Sequence, residues 1–197
     1  MATAAGEWPH AIASKSFPLK NSVSLAEAAL LLGLGAAAVC LHGLSRGLVE
    51  MPGHQGLGWV GLLVAGRRSS AFRWAAVTSS VGAAGCAMLP VWSFHDPFRW
   101  FTYFLAGATL DMLYTGFSYV RHSRLLLALS GGLAHATKPL ARVLIAQFKG
   151  WPYGSLKWGV IYPTTTHFLF GLAGGLLAVG VGAALNRPGR GHYPKNA

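Results

Sequence analysis

The chain has 197 residues, of which 53% are apolar and only 11% charged. Sixteen Lys and Arg stand against five Asp and Glu, a formal net charge of +11, alongside 26 Gly and 7 Trp. A soluble domain carries about a quarter charged residues, so this composition points to a polytopic membrane protein. Intrinsic disorder is excluded by the hydrophobicity, and a disulfide scaffold by a cysteine count of 2. The basic residues punctuate apolar runs instead of forming one patch, which argues against nucleic-acid binding. A transmembrane barrel alternates over about ten residues, whereas these runs are continuous and roughly twice as long. The expected class is all-α.

Residues 1–23 are polar to mixed, carry Lys15 and Lys20, and do not fit a cleavable signal sequence, because the first apolar run starts late and is long. The apolar runs cover 25–44, 56–66, 74–92, 97–119, 124–148 and 162–185. Five approach the ~20 residues needed to cross a bilayer. The second is short and is expected to borrow flanking residues, thin the bilayer or stay partly re-entrant. The organisation expected is a cytoplasmic segment 1–23, a six-helix membrane domain 24–186 and a basic cytoplasmic tail 187–197.

Orientation follows from the basic residues between the runs. With the N-terminus inside, Lys15, Lys20, Arg67, Arg68, Arg73, Arg121, Arg124, Arg187, Arg190 and Lys195 are cytoplasmic, and only Arg46, Arg99, Lys149 and Lys157 are outside. Ten against four places both termini in the cytoplasm. Trp59, Trp74, Trp92, Trp100, Trp151, Tyr153, Trp158 and Tyr162 sit at run ends, where amphipathic rings anchor at an interface. The outward loops 46–55, 92–97 and 149–161 hold Glu50, Met51-Pro52-Gly53-His54, Trp92, His95-Asp96-Pro97 and Trp151-Pro152-Tyr153. Interfacial anchoring accounts for their tryptophans. The sharper alternative is a lid of stiff aromatic loops over an outward pocket, which would lose little entropy on closing.

Ionisable residues within membrane runs are costly and mark functional sites by default. Here they are Asp111, His135, Lys138, Arg142 and His167. Gly131, His135, Lys138 and Arg142 share one helix face, as do Thr164, His167, Gly171 and Gly174. At ~1.5 Å per residue, Asp111, His135 and Lys138 form a deep layer, and Arg142 and His167 a shallow one. Pro139 frees the His135 carbonyl, and such breaks near the midplane point to transport sites. The alternative is a structural Asp111–Lys138 ion pair in a kinked helix, with Arg142 snorkelling outward.

Other chemistry has weaker support. His42, His135 and His167 are candidate haem ligands without a fixed motif, and His54, His95 and Asp96 a diffuse candidate metal set. Neither Gly-x-Ser-x-Gly, nor His-Glu-x-x-His, nor a Walker A sequence occurs, so neither hydrolase nor ATPase chemistry is expected. Cys40 and Cys86 fall in membrane runs and read as small apolar fillers. Two faces of small residues, Ala29/Gly33/Ala37 and Gly171/Gly174/Gly175/Gly182, permit close helix approach, either within the bundle or to another membrane subunit.

Size, six runs with an early short one, internal termini, the segment 163–175 (PTTTHFLFGLAGG) and the segment 103–111 (YFLAGATLD) together resemble the substrate-binding S component of energy-coupling factor transporters. The likeness covers about residues 20–186. It implies a non-enzymatic, multi-pass protein of the prokaryotic cytoplasmic membrane that captures a vitamin, vitamin precursor or metal ion from outside. It also implies a transmembrane coupling subunit and two ATPase subunits as partners, with no resident cofactor. Where the family often shows Ala-x-x-x-Ala in its first helix for docking, this chain has Ala29-x-x-x-Gly33-x-x-x-Ala37.

The binding residues expected from burial and charge are Asp111, His135, Lys138, Arg142, His167, Glu50, His54, Trp92, Trp151 and Tyr153. With Asp111 as the buried counter-charge to Lys138 and Arg142, the ligand expected is anionic, a carboxylate or phosphate gripped by Arg142. The rival reading is a small accessory or haem-binding subunit of a respiratory complex, which a reduced-minus-oxidised spectrum separates. Reporter fusions after Arg68, after Tyr119 and at the C-terminus are expected to report cytoplasm, and fusions at Glu50 or Trp151 the exterior. An external C-terminus would reverse the orientation.

Overall fold

The computed structural model describes residues 18–44, 51–90 and 96–185, and a helix forms within each of the six apolar runs. Ser24 opens the first: its hydroxyl accepts the Glu27 amide at 3.2 Å, one half of a Ser-x-x-Glu capping box, and α1 follows as Leu25–Leu44. α2 spans Gly56–Ser69, running past its apolar stretch so that Arg67 and Arg68 lie inside the helix. α3 is Ala75–Ala87 and α4 is Arg99–Gly116. A single turn, α5 (Ser118–His122), leads into α6, Arg124–Lys149, whose first turn is capped by the Ser123 hydroxyl. Gly150 ends α6 at φ 63°, the left-handed position that favours glycine. A 3-10 turn at Gly154–Leu156 precedes α7, Ile161–Leu185. Among the described residues the only extended pairing is an isolated bridge between Lys20 and Phe72, so the fold is all-α.

Two helices, α1 and α7, are long and apolar enough to cross a membrane. α2 and α3, with 14 and 13 residues, rise only about 20 Å against a hydrocarbon core of ~30 Å. The six long helices close a ring in the order α1, α3, α4, α6, α7, α2. α2 also touches α3, α4 and α6, which puts the short helix nearest the axis. Its Trp59, Val60, Leu63 and Val64 are buried there. An apolar core lies inside, yet large apolar side chains also cover the outside and several charges are buried. Leu30, Leu41, Phe104, Leu133, Leu144 and Leu176 are exposed, while Arg67, Asp111, His135, Lys138 and His167 are buried.

Small residues set the closest approaches. A Cβ on Gly35 of α1 would fall on the Ser79 carbonyl oxygen of α3, so the two backbones touch there. On α7, a Cβ at Gly175 would lie 2.8 Å from the Ala128 Cα of α6. The Gly171/Gly174/Gly175 face is therefore internal packing. The α1 face behaves differently: Ala29, Gly33 and Ala37 are exposed, and nothing lies within 4 Å of a Cβ placed on Gly33.

The charge pairing differs from the sequence expectation. Asp111 does not face Lys138. Its Oδ1 accepts from Arg67 Nη1 at 2.8 Å, and both side chains are 0% exposed. Asp111 also accepts the backbone amides of Ala76 (3.2 Å) and Val77 (2.8 Å), at the N-terminus of α3, where a helix favours negative charge. Arg67 in turn donates to the carbonyls of Arg73 (3.0 Å) and Ser70 (2.8 Å) and lies 4.4 Å from the Tyr114 ring centroid. Arg67, expected as a cytoplasmic loop charge, is thus a core residue joining α2, α3 and α4. Removing one partner strands the other charge in a dry interior. Asp111→Ala is expected to cost on the order of 3–5 kcal/mol in unfolding measurements, and the double replacement Arg67→Met with Asp111→Leu to recover much of it.

Candidate functional site

The opposite end of the bundle holds a cavity of about 690 Å³. It is lined by His42 at the end of α1, the turn 51–55, Arg99 at the start of α4, and His135, Lys138 and Arg142 on one face of α6. Ser155, Lys157 and Trp158 from the loop before α7, with Tyr162 and His167 of α7 itself, complete the wall. Four lining residues are Lys or Arg, and among the described lining residues none is a carboxylate.

The turn 51–55 folds into the bundle mouth because Gly53 adopts φ 84° and lies directly on α7: a Cβ there would meet His167 Cα at 2.8 Å. Its carbonyl accepts from His135 Nε2 at 3.2 Å. The tautomer follows from the opposite edge of the ring. Trp59 Nε1–H can only donate, and it reaches His135 Nδ1 at 3.3 Å, so the ring proton sits on Nε2. His167, its ring tilted 38° against that of His135 at 4.7 Å between centroids, gives its Nδ1–H to the Pro163 carbonyl at 2.6 Å. In the neutral ring this leaves Nε2 as an acceptor. His54 repeats the pattern, with Nδ1–H on the Met51 carbonyl at 2.7 Å and a buried Nε2 without a partner among the described residues. The tilted rings of His135 and His167, 4.7 Å apart, lie too close to receive a haem plane between them. Among the described residues no group of three His, Cys, Asp or Glu is placed to hold a metal ion.

Lys138 is 3% exposed. Its Nζ lies 4.6 Å from the Tyr103 ring centroid and 5.9 Å from that of Trp59, faces that favour a cation. Arg142 donates to Ser155 Oγ at 3.1 Å and stacks over Tyr153 at 5.1 Å. Tyr153 lies behind Arg142, outside the cavity wall, and donates its hydroxyl to Asp96 Oδ1 at 3.2 Å. Burial and then the Asp96 carboxylate push its phenol up to about 12, so it remains a donor near neutral pH. Trp151 packs edge-on against Phe98 at 6.1 Å and is not part of the lining.

Of the residues singled out in the sequence, His54, His135, Lys138, Arg142 and His167 come together here. Asp111 does not. It is held by Arg67 about 12 Å further along α2 from Trp59. Glu50 and Trp92 lie outside the described residues. Arg99, Lys157, Trp158 and His42 line the cavity without having been singled out as binding residues. The signal for Arg99 and Lys157 was present in the outer-loop charge count, but not their convergence. No protein-family model, curated protein or solved structure matches the chain.

Gly53→Ala is expected to destabilise the protein by more than the ~1–2 kcal/mol of a left-handed residue, because its methyl also collides with His167. Gly150→Ala has the same backbone sign, φ 63°, but open space, and is expected to show the backbone cost alone. The difference between the two unfolding free energies measures the seat of the turn.

Proposed function

We propose that the chain is a membrane-embedded capture subunit for a small anionic solute, of the energy-coupling factor type, that binds from outside and relies on separate coupling and ATPase subunits. The observation that carries this reading is the cavity, where Arg99, Lys138, Arg142 and Lys157 converge without a carboxylate in the described lining. Lys138 is buried and Arg142 half-buried, the Asp96 carboxylate behind Tyr153 attracts both, and an anionic ligand adds the neutralisation that several clustered cations call for. Arg142 supplies the fork that grips a carboxylate or phosphate, Tyr153 and Ser155 hold the guanidinium in place, and Lys138 adds a charge from below. On the other wall, His54 and His167 offer acceptor nitrogens to N–H or O–H groups of the same solute. Trp158 and Tyr162 cover its less polar part.

The six long helices form a multi-pass bundle in a prokaryotic cytoplasmic membrane, with both termini inside. The many exposed leucines and phenylalanines support this, since an apolar solvent tolerates them where water does not. Central placement of α2 lets a helix of about 20 Å serve in such a bundle, because its neighbours shield its ends from lipid. The exposed face Ala29/Gly33/Ala37 is the docking surface for the coupling subunit, as close approach requires small residues. Solute binding itself involves no chemistry, and the chain is not an enzyme.

Mass spectrometry of small molecules co-purifying with the protein is expected to yield an anion. Titrating that molecule into the stripped protein, Arg142→Ala is expected to lose on the order of 3–5 kcal/mol of binding, and Arg142→Lys most of the same amount despite the retained charge. Unchanged affinity in Arg142→Ala, or a bare cation as the co-purified molecule, overturns the proposal.

A further inference from the structure

A second concavity lies between α1, α2 and α7, away from the cationic cavity. It is an open groove of about 480 Å³. Gly58, Gly61 and Ala65 form its floor along one face of α2, and Leu41, Leu177 and Val181 form its walls. Arg68 stands at one end. One of its terminal nitrogens donates to the Val179 carbonyl of α7 at 3.1 Å, across Gly182, where a Cβ would come within 2.7 Å of that nitrogen. This contact lays the guanidinium over the groove end and leaves its remaining N–H groups for another acceptor. Ser69, exposed, stands beside it.

We infer that this groove is a binding site for one anionic phospholipid, with an acyl chain on the α2 floor and the phosphate at Arg68. The inference rests on the membrane reading of the bundle. Length favours a lipid over a helix of a partner protein. From Gly58 to Arg68 the floor rises about 15 Å, half of the ~30 Å hydrocarbon core, which is the reach of a chain within one leaflet. A membrane-spanning partner helix, about 30 Å long, would overhang this floor by half its length, whereas one acyl chain matches it. Charge selects the headgroup. Arg68 is at the end of α2 that also carries Arg67, and Arg67 is neutralised by Asp111, which leaves Arg68 to meet an anion. In the proposed orientation this end faces the cytoplasmic leaflet, where anionic lipids concentrate, and basic pockets between helices there hold lipid headgroups.

The test uses the full-length protein, extracted in detergent and exchanged into vesicles of phosphatidylcholine and phosphatidylglycerol in equal amounts. Lipid retained on the protein is then weighed by native mass spectrometry. Wild type is expected to retain one phosphatidylglycerol, preferred roughly fivefold over phosphatidylcholine, the scale of one arginine against an anionic headgroup. Arg68→Gln is expected to keep a bound lipid but lose the preference. Gly58→Leu, at a position where a Cβ meets only Leu41 Cδ1 at 3.9 Å, is expected to fill the groove and lose the lipid without loss of thermal stability. Equal retention of both lipids by wild type overturns the inference, as does undiminished retention in Gly58→Leu. So does a Gly58→Leu protein that keeps its lipid but no longer assembles with a coupling subunit, since the groove then belongs to a protein partner. A chain recovered in the aqueous fraction without detergent would instead remove the membrane reading itself.

Discussion

The buried pair between Arg67 and Asp111 is the constraint on which the rest of the bundle depends. A fully buried guanidinium and carboxylate persist only if nearly all their hydrogen-bonding groups are met, and here the α3 amides and the 70–73 carbonyls help to meet them. That requirement draws three helices to one point. α2 cannot slide along the axis without stranding Arg67, and its position in turn decides where Gly53, Gly56 and Trp59 lie at the other end. The cavity wall is therefore set from the far side of the molecule.

The two ends of the bundle treat charge in opposite ways. At one, the buried cation has its carboxylate, two backbone carbonyls and a tyrosine face in support, and the carboxylate has two amides. At the other, Lys138 rests on the faces of Tyr103 and Trp59, and Arg142 on a tyrosine and a serine hydroxyl. Aromatic faces and hydroxyls orient a cation without neutralising it, and the Asp96 carboxylate, bonded to Tyr153 behind Arg142, is shared among several cations. A protein that needed these positive charges only for its own stability would be expected to pair them as it pairs Arg67. The proposed function follows from that asymmetry.

The histidines add definition to the cavity. Each of His54, His135 and His167 has one ring nitrogen tied to a backbone carbonyl, so ring orientation is decided by the main chain. The turn 51–55 supplies two of those carbonyls, Met51 and Gly53, and it sits where it does because Gly53 has no side chain to hold it off α7. A loop that reads in the sequence as an interfacial anchor or a lid is, over these residues, part of the wall.

Much of the fold was legible in the sequence. Helix positions follow from apolar runs and their stops, and the helical spacing of His135, Lys138 and Arg142 already put them on one face. These are properties of contiguous residues, governed by local geometry that any window of the chain displays. What the sequence could not disclose is which helices meet. Depth along separate helices suggested Asp111 for Lys138, because depth was the only coordinate available. Azimuth and ring order decided otherwise, giving Asp111 to Arg67 and bringing Arg99 and Lys157 to Arg142. Charge pairing across a bundle depends on rotation about each helix axis and on helix order, and both are settled by packing, by glycines such as Gly35 and Gly175 that let particular backbones touch. The sequence by itself thus determined the all-α class, the six helices and the one-sided face of α6. Only the tertiary structure decided which charges are neutralised and which are left facing a cavity.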